Sequence, residues 1–228
     1  MKKRSILKTI VTFATASVLV ATVCGCNKKN TTTENSEPVI VIEPAESDEP
    51  ASTITSEPVS KSGREDGERF EETIILEGME EKVQYEHIVN TILGFEMDYD
   101  YESFIRESKA DSECFISVYD DAGNPENYLE VTKSADDADT TAATIIEKLS
   151  KTYETDQFSF TLDNAGDCIK IDASVEKGTN QTADNMQAVY IIPASDGCIV
   201  ATSHYFFEAS EGFGRRFIYM LNTLIVLD

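Results

Sequence analysis

Tryptophan is absent from the 228-residue chain, and histidine and basic residues are scarce. The two histidines, His87 and His204, leave few side chains that can act as a base near neutral pH. Against 42 acidic residues stand 19 lysines and arginines, which gives a formal net charge of −23. Nucleic-acid binding needs a basic surface that displaces counterions, so the composition argues strongly against a nucleic-acid partner.

The chain also lacks the spacing patterns of common catalytic and metal sites. No nucleophile signature stands near either histidine, and both alternate with apolar residues as packed strand residues do. The histidines and cysteines have no zinc-ligand spacing, and no glycine-rich phosphate loop follows a strand. We expect neither a cofactor nor a metal, and we favour a protein without catalytic activity.

Only one long apolar run is present, IVTFATASVLVATV, and it follows the basic segment MKKRSILKT. A basic start followed by an apolar stretch of this length is typical of a secretory signal. A helix that spans a bilayer needs about 20 apolar residues, and this run is shorter and rich in threonine and serine. An uncleaved membrane anchor is the alternative, and we favour the signal peptide.

The end of this run, Val23-Cys24-Gly25-Cys26, resembles a bacterial lipobox with Cys26 as the modified residue. Modification of Cys24 would place the bulky Val23 directly before the cleaved bond, where a small residue is required. The resemblance implies that residues 1–25 are removed and that Cys26 carries a diacylglycerol, often with a further acyl chain on the new amino terminus. Each buried methylene contributes about 0.8 kcal/mol to such an anchor. We therefore expect attachment to the membrane on its extracytoplasmic face.

Residues 26–72 are rich in serine, threonine, glutamate and proline and contain hardly any large side chains. Such a segment buries too little surface to offset the entropy of ordering it. We predict a disordered acidic tether that lifts a globular domain of residues 73–228 away from the membrane.

Alternating apolar and polar residues predict the strands of this domain, and a tight turn at 194–197 joins the last two strands in a hairpin. The predicted strands are 73–77, 82–89, 94–99, 114–119, 127–132, 157–162, 168–175, 187–192 and 198–207. Two stretches have a helical period instead, one around residues 138–153 and one at the carboxyl terminus, where Phe213, Phe217, Met220, Leu221 and Leu224 share a face. The predicted fold class is α+β, an antiparallel sheet with the two amphipathic helices covering one face.

Within this domain the residues Gly94-Phe95-Glu96-Met97-Asp98-Tyr99-Asp100, followed by Phe104, resemble the entry strand of PsbP-like domains. Asp100 stands where that family usually has proline, and Phe104 where it usually has tryptophan. The resemblance implies an antiparallel sheet with flanking helices over roughly residues 80–228. It implies no catalysis, because the same fold is used for docking to partners.

A candidate binding site lies at the start of the last helix, where Ser210, Gly212, Gly214, Arg215 and Arg216 occur within seven residues. Helix amides and two guanidinium groups are able to bind a carboxylate or a phosphate. The alternative is that the glycines permit close packing while the arginines pair with neighbouring acids.

Two other groups of residues are expected to be structural. Asp98, Asp100 and Glu102 share one face of a strand, and further acids crowd the turn at 120–126, and we interpret both as solvated. If the last strands form a meander, Cys168 and Cys198 lie two strand spacings apart, about 9–10 Å, which is too far for a disulfide.

The sequence therefore predicts a lipid-anchored extracytoplasmic protein with a non-catalytic interaction domain. Its partner is an envelope protein or an anionic ligand. The alternative is a hydrolase or a small-ligand-binding lipoprotein of the envelope.

Overall fold

The computed structural model describes residues 60–121 and 123–227 of the chain. The predicted signal peptide of residues 1–25, the lipidation site Cys26 and the first part of the predicted tether lie outside these described residues. Within the described ranges, no helix combines the length and the apolar character needed to cross a bilayer.

Strands make up most of the described chain. They are β1 (Arg69–Leu76), β2 (Met79–Asn90), β3 (Phe95–Asp100), β4 (Phe104–Ser108), β5 (Ser112–Ser117), β6 (Tyr128–Ser134), β7 (Tyr153–Leu162), β8 (Gly166–Glu176), β9 (Thr182–Ala194), β10 (Gly197–Phe206) and β11 (Ile225–Val226). The helices are α1 (Ala138–Leu149) and α2 (Gly212–Thr223), and a 3-10 helix (Phe207–Ala209) precedes α2.

The strands form two antiparallel sheets. The four-stranded sheet has the order β1-β2-β3-β11, and the seven-stranded sheet has the order β4-β5-β6-β10-β9-β8-β7. Strands β7 to β10 form a meander, and β10 then pairs with β6, which joins the strands before α1 to those after it.

The predicted turn at residues 194–197 is confirmed as the β9–β10 hairpin. Gly197 is required there because its φ is +131° and because a Cβ atom would lie 2.0 Å from the carbonyl oxygen of Ser134.

The predicted fold class is wrong. The domain is mostly β, with two sheets and two short helices, and the helices do not cover one face of one sheet. Helix α1 belongs to one hydrophobic cluster, with Ala142 and Leu149 packed near Ile191 and Cys198. Helix α2 belongs to a second cluster, which contains residues from both sheets.

Strand β9 gives the physical reason for this error. Val189 and Ile191 are buried in the α1 cluster, while Tyr190 and Ile192, which point to the opposite face, are buried in the α2 cluster. A strand that is apolar on both faces needs cover on both sides. Alternation along the chain identifies such strands, but it does not say which element covers which face.

The apolar face predicted for the last helix is confirmed. Phe217, Met220, Leu221 and Leu224 are at most 1% exposed, and the ring of Phe217 lies 5.2 Å from that of Phe104. Burial of a side chain of this size contributes about 1.5–3 kcal/mol. Helix α2 is therefore held firmly against both sheets.

The three described cysteines are free thiols and are buried. Strand β9 lies between the strands that carry Cys168 and Cys198, as the meander predicted. The two residues also belong to different hydrophobic clusters on opposite faces of the sheet, so a bridge between them is ruled out by direction as well as by distance.

Candidate functional site

The polar face of β3 is buried, contrary to the solvated face that the sequence predicted for its acids. Glu96, Asp98 and Asp100 are at most 5% exposed. They alternate with Phe95, Met97 and Tyr99, which point into the core. Buried carboxylates need compensating charges or donors, and these come from distant parts of the chain.

Arg216 compensates the acid at one end of β3. Its Nη1 atom lies 2.7 Å from Asp100 Oδ2, and its Nη2 atom binds Glu81. The arginine side chain is 17% exposed and the Asp100 side chain 2%. Arg216 is thus a structural residue that fastens α2 to the four-stranded sheet.

Residues 60–68, which we call the clasp, compensate the other two acids. The amides of Lys61 and Ser62 donate to Glu96 at 3.0 and 2.5 Å. Arg64 Nη1 lies 2.6 Å from Asp98 Oδ2. Beyond the clasp, β1 begins at Arg69, so residues 60–72, which the sequence analysis assigned to the tether, pack against the domain.

His87 connects the clasp to Asp98 in the order found in serine hydrolases. Its Nδ1 atom lies 2.6 Å from Asp98 Oδ1, and its Nε2 atom lies 3.3 Å from Ser62 Oγ. A serine, a histidine and an aspartate in this order form the nucleophile, base and orienting group of acyl-transfer sites. No local pattern indicated this contact, because Ser62 and His87 are 25 residues apart.

The surroundings of Ser62 do not suit that chemistry. Acyl transfer requires donors aimed at a developing oxyanion, but the amides of Lys61 and Ser62 already bind the Glu96 carboxylate. Glu96 Oε2 also lies 3.8 Å from His87 Nε2. A second negative charge beside this carboxylate would be repelled, so the cluster functions as a fastening rather than as a catalytic centre.

A cavity of about 660 Å³ lies between the β1–β2 turn, the inner face of β7 to β10, and the start of α2. Its wall includes the aromatic residues Phe160, Tyr190 and Tyr205. Burial raises the pKa values of Tyr190 and Tyr205, so both hydroxyls are neutral at physiological pH. Small-molecule sites typically have volumes of about 300–1,000 Å³ and walls of this apolar, aromatic kind.

Charged side chains of both signs complete the cavity. Lys170 lies over the rings of Phe160 and Tyr190, at 5.7 and 5.6 Å from their centroids. Its ammonium pairs with Asp172 at 2.9 Å. Three exposed charges, those of Glu77, Glu211 and Arg215, also line the cavity.

The structure brings only part of the predicted binding site to this cavity. Ser210, Gly214 and Arg215 line it, whereas Arg216 is taken up by Asp100 and Glu81. Gly212 does not line it, and a Cβ atom on Gly212 would meet nothing within 4 Å.

Four cavity residues on the sheet were not predicted from the sequence as site residues, namely Phe160, Lys170, Tyr190 and Tyr205. Lys170 and Tyr190 are paired across β8 and β9. Their alternation marked them as strand residues, but nothing local indicated that this part of the sheet lacks a covering element.

A second, smaller groove lies on the opposite face of the seven-stranded sheet, beside α1. His204 lines this groove and is stacked on Tyr128, with 4.2 Å between ring centroids. Burial, with a smaller contribution from Lys148, lowers the pKa of His204 to about 4. The imidazole is therefore neutral at pH 7 and has no carboxylate partner among the described residues. In the same described part of the chain, no cluster of three histidine, cysteine, aspartate or glutamate side chains could hold a metal ion.

No protein-family model matches the chain, and no curated protein matches it. Among the solved structures that are similar to it are the following two. Cyanobacterial PsbP from Synechocystis has a TM-score of 0.44 and 12% identity, over 62% of this chain and 92% of that one. The yeast Ran-binding protein Mog1p, from Saccharomyces cerevisiae, has a TM-score of 0.41 and 12% identity, over 64% of this chain and 97% of that one.

Ser62 should not behave as an activated nucleophile. We expect a fluorescent fluorophosphonate, which labels catalytic serines, to leave the folded chain unlabelled, because Glu96 occupies the amides that an oxyanion would need. The measurement is in-gel fluorescence beside a known serine hydrolase. Labelling that disappears in Ser62→Ala but persists in Ser60→Ala would contradict this assignment.

His204 should make the fold sensitive to mild acid. The unfolded chain binds a proton at His204 near pH 6.5, while the folded chain does so only near pH 4. Stability therefore falls as the pH drops from about 6.5 to about 4, by about 1–3 kcal/mol from this residue.

Urea unfolding as a function of pH measures this effect. His204→Gln should lose less stability over that range than the wild type, and Tyr128→Phe, which keeps the stacked ring, should follow the wild type. Parallel curves for His204→Gln and wild type would show that another group carries the dependence.

Proposed function

We propose that the chain is a lipid-anchored extracytoplasmic lipoprotein whose globular domain binds a ligand without catalysing a reaction. The binding site is the cavity between the β1–β2 turn, the seven-stranded sheet and α2. The observation that carries the proposal is Arg215, which borders this cavity and has no carboxylate partner among the described residues.

The anchoring part of the proposal is supported by the sequence. The basic start, the short apolar run and Val23-Cys24-Gly25-Cys26 occur in the order of a lipoprotein signal. The acidic, proline-rich segment that follows suits a spacer, because it cannot bury enough apolar surface to fold by itself.

The binding part is supported by the contrast between two adjacent arginines. Arg216 forms ion pairs with Asp100 and Glu81. Arg215 lies at the mouth of the cavity, with its guanidinium carbon 5.9 Å from the centroid of the Tyr219 ring. An arginine kept free beside an aromatic wall is suited to recognising an acceptor group on a ligand.

The rival function, an envelope hydrolase, would need the Ser62–His87–Asp98 contact to be catalytic. This contact lies at the clasp, and none of its three residues lines the cavity. The carboxylate of Glu96 beside it opposes an oxyanion intermediate. A binding role therefore fits both features better than a hydrolytic one.

Lipidation is tested by metabolic labelling with an alkyne analogue of palmitate. We expect the label on the wild-type chain and on Cys24→Ser, and its loss in Cys26→Ser, because only Cys26 carries the thioether in the proposed arrangement. Gel fluorescence after click coupling reads the result, and mass spectrometry checks removal of residues 1–25. Label retained in Cys26→Ser would overturn the anchor.

The cavity is tested by filling it. A leucine at position 214 would project from α2 towards Tyr205, since a Cβ atom there would lie 3.7 Å from the Tyr205 ring. We expect Gly214→Leu to abolish saturation-transfer NMR signals from a panel of amino acids, dipeptides, sugars and aromatic carboxylates.

Gly212→Leu is the matched control, because the same substitution two residues earlier on the helix points into open space. It should retain the signals, and thermal melting should show that both variants are folded. Ligands that bind a folded Gly214→Leu variant as well as the wild type would place the site elsewhere.

A further inference from the structure

The hydroxyl of Tyr190 makes no hydrogen bond to another residue in the described part of the chain. Tyr190 is 2% exposed and lines the cavity. The hydroxyl of Ser203, which also lines the cavity, differs because it donates to the carbonyl of Ala188 at 3.1 Å. Because Tyr190 lines the cavity, its hydroxyl is available to donate to a polar atom of a ligand.

The ion pairing of the arginines points to the same cavity. Of the five described arginines, four form ion pairs with carboxylates: Arg64 with Asp98, Arg69 with Glu86, Arg106 with Glu113, and Arg216 with Asp100. Arg215 has no such pair in the described residues, although the chain carries more than twice as many acids as bases. The surplus of acids makes an unpaired arginine conspicuous.

Two exposed acids at the same cavity, Glu77 and Glu211, are also without an ion pair in the described residues. Glu77 lies on the β1–β2 turn, and Glu211 directly precedes α2 without capping it. The cavity therefore presents donors, namely Tyr190, Lys170 and Arg215, together with two free acceptors.

This mixture disfavours a simple anion. The net charge of −23 repels anions at long range, and the two acids would repel them at the cavity itself. A molecule with no net charge but with separated positive and negative groups avoids both penalties. The aromatic wall of Phe160, Tyr190 and Tyr205 adds a preference for an apolar or aromatic body.

We infer that the cavity binds a zwitterion, namely a free amino acid or a short peptide with an aromatic or apolar side chain. This inference rests on the proposed function. The carboxylate accepts hydrogen bonds from Tyr190, Lys170 and Arg215. The ammonium group lies towards Glu77 and Glu211, and the side chain packs on the aromatic wall.

The probe is the dipeptide Gly-Phe, which carries both charges and one ring, titrated calorimetrically into the full-length chain in mild detergent at pH 7. Two derivatives remove one charge each: the carboxyl-terminal amide and the N-acetyl form. We expect each derivative to bind at least about tenfold more weakly than Gly-Phe, because each loses charge-assisted hydrogen bonds.

Two variants test the contacts on the protein side. Tyr190→Phe removes only the hydroxyl, and Arg215→Gln removes the guanidinium group and its charge but keeps a polar side chain. Each should weaken Gly-Phe about tenfold but leave the already weak amide nearly unchanged, because the amide lacks the carboxylate that these residues bind. Tyr128→Phe and Lys151→Gln, which lie away from the cavity, should bind Gly-Phe like the wild type.

Equal affinity for all three peptides would overturn the inference, and so would affinity for Gly-Phe that Tyr190→Phe leaves intact. Binding of maltose but of no peptide, lost in Gly214→Leu, would also overturn it while leaving the proposed binding function standing. If no compound of the wider panel depends on position 214, the binding function itself fails.

Discussion

The compensation of the buried acids on β3 is the constraint on which the rest of this structure depends. Glu96, Asp98 and Asp100 lie in the interior at almost zero exposure, where an unpaired carboxylate is strongly destabilising. Removing one partner of such a buried pair typically costs about 3–5 kcal/mol. The fold therefore holds together only if the clasp and α2 bring their cations and amides to this strand.

This requirement also determines where the candidate site lies. Arg216 binds Asp100, and the amide of Asp98 donates to Thr223 Oγ1 at the other end of α2. These contacts set the position of the helix on the four-stranded sheet. Because successive residues of a helix point about 100° apart, the neighbouring Arg215 is directed away from β3, and it lines the cavity. Arg216 stabilises the fold, and Arg215 has no carboxylate partner among the described residues.

The clasp shows why a list of catalytic residue types is a poor guide to activity. His87 is within hydrogen-bond reach of both Ser62 and Asp98. The amides that an oxyanion would need, however, already bind Glu96. The cavity has the opposite character, because Arg215, Glu77 and Glu211 at its edge form no ion pair in the described chain. A fastening leaves its polar groups paired, whereas a binding site leaves some of them for the ligand.

The sequence by itself determined the features that depend on residues close together along the chain. Period-two alternation identified most strands, the Gly197 turn placed the last hairpin, and the apolar face of α2 was correct. Strand β4 was not predicted, because its sequence, FIRES, is mostly polar. Arg106 is nevertheless sheltered in the structure, because it pairs with the buried Glu113. Only the tertiary structure decided that the strands divide into two sheets, that the acids of β3 are buried, and that Tyr190 and Arg215 share a cavity. These outcomes depend on contacts between residues far apart in sequence, and a local pattern carries no information about which distant side chain will supply the missing charge.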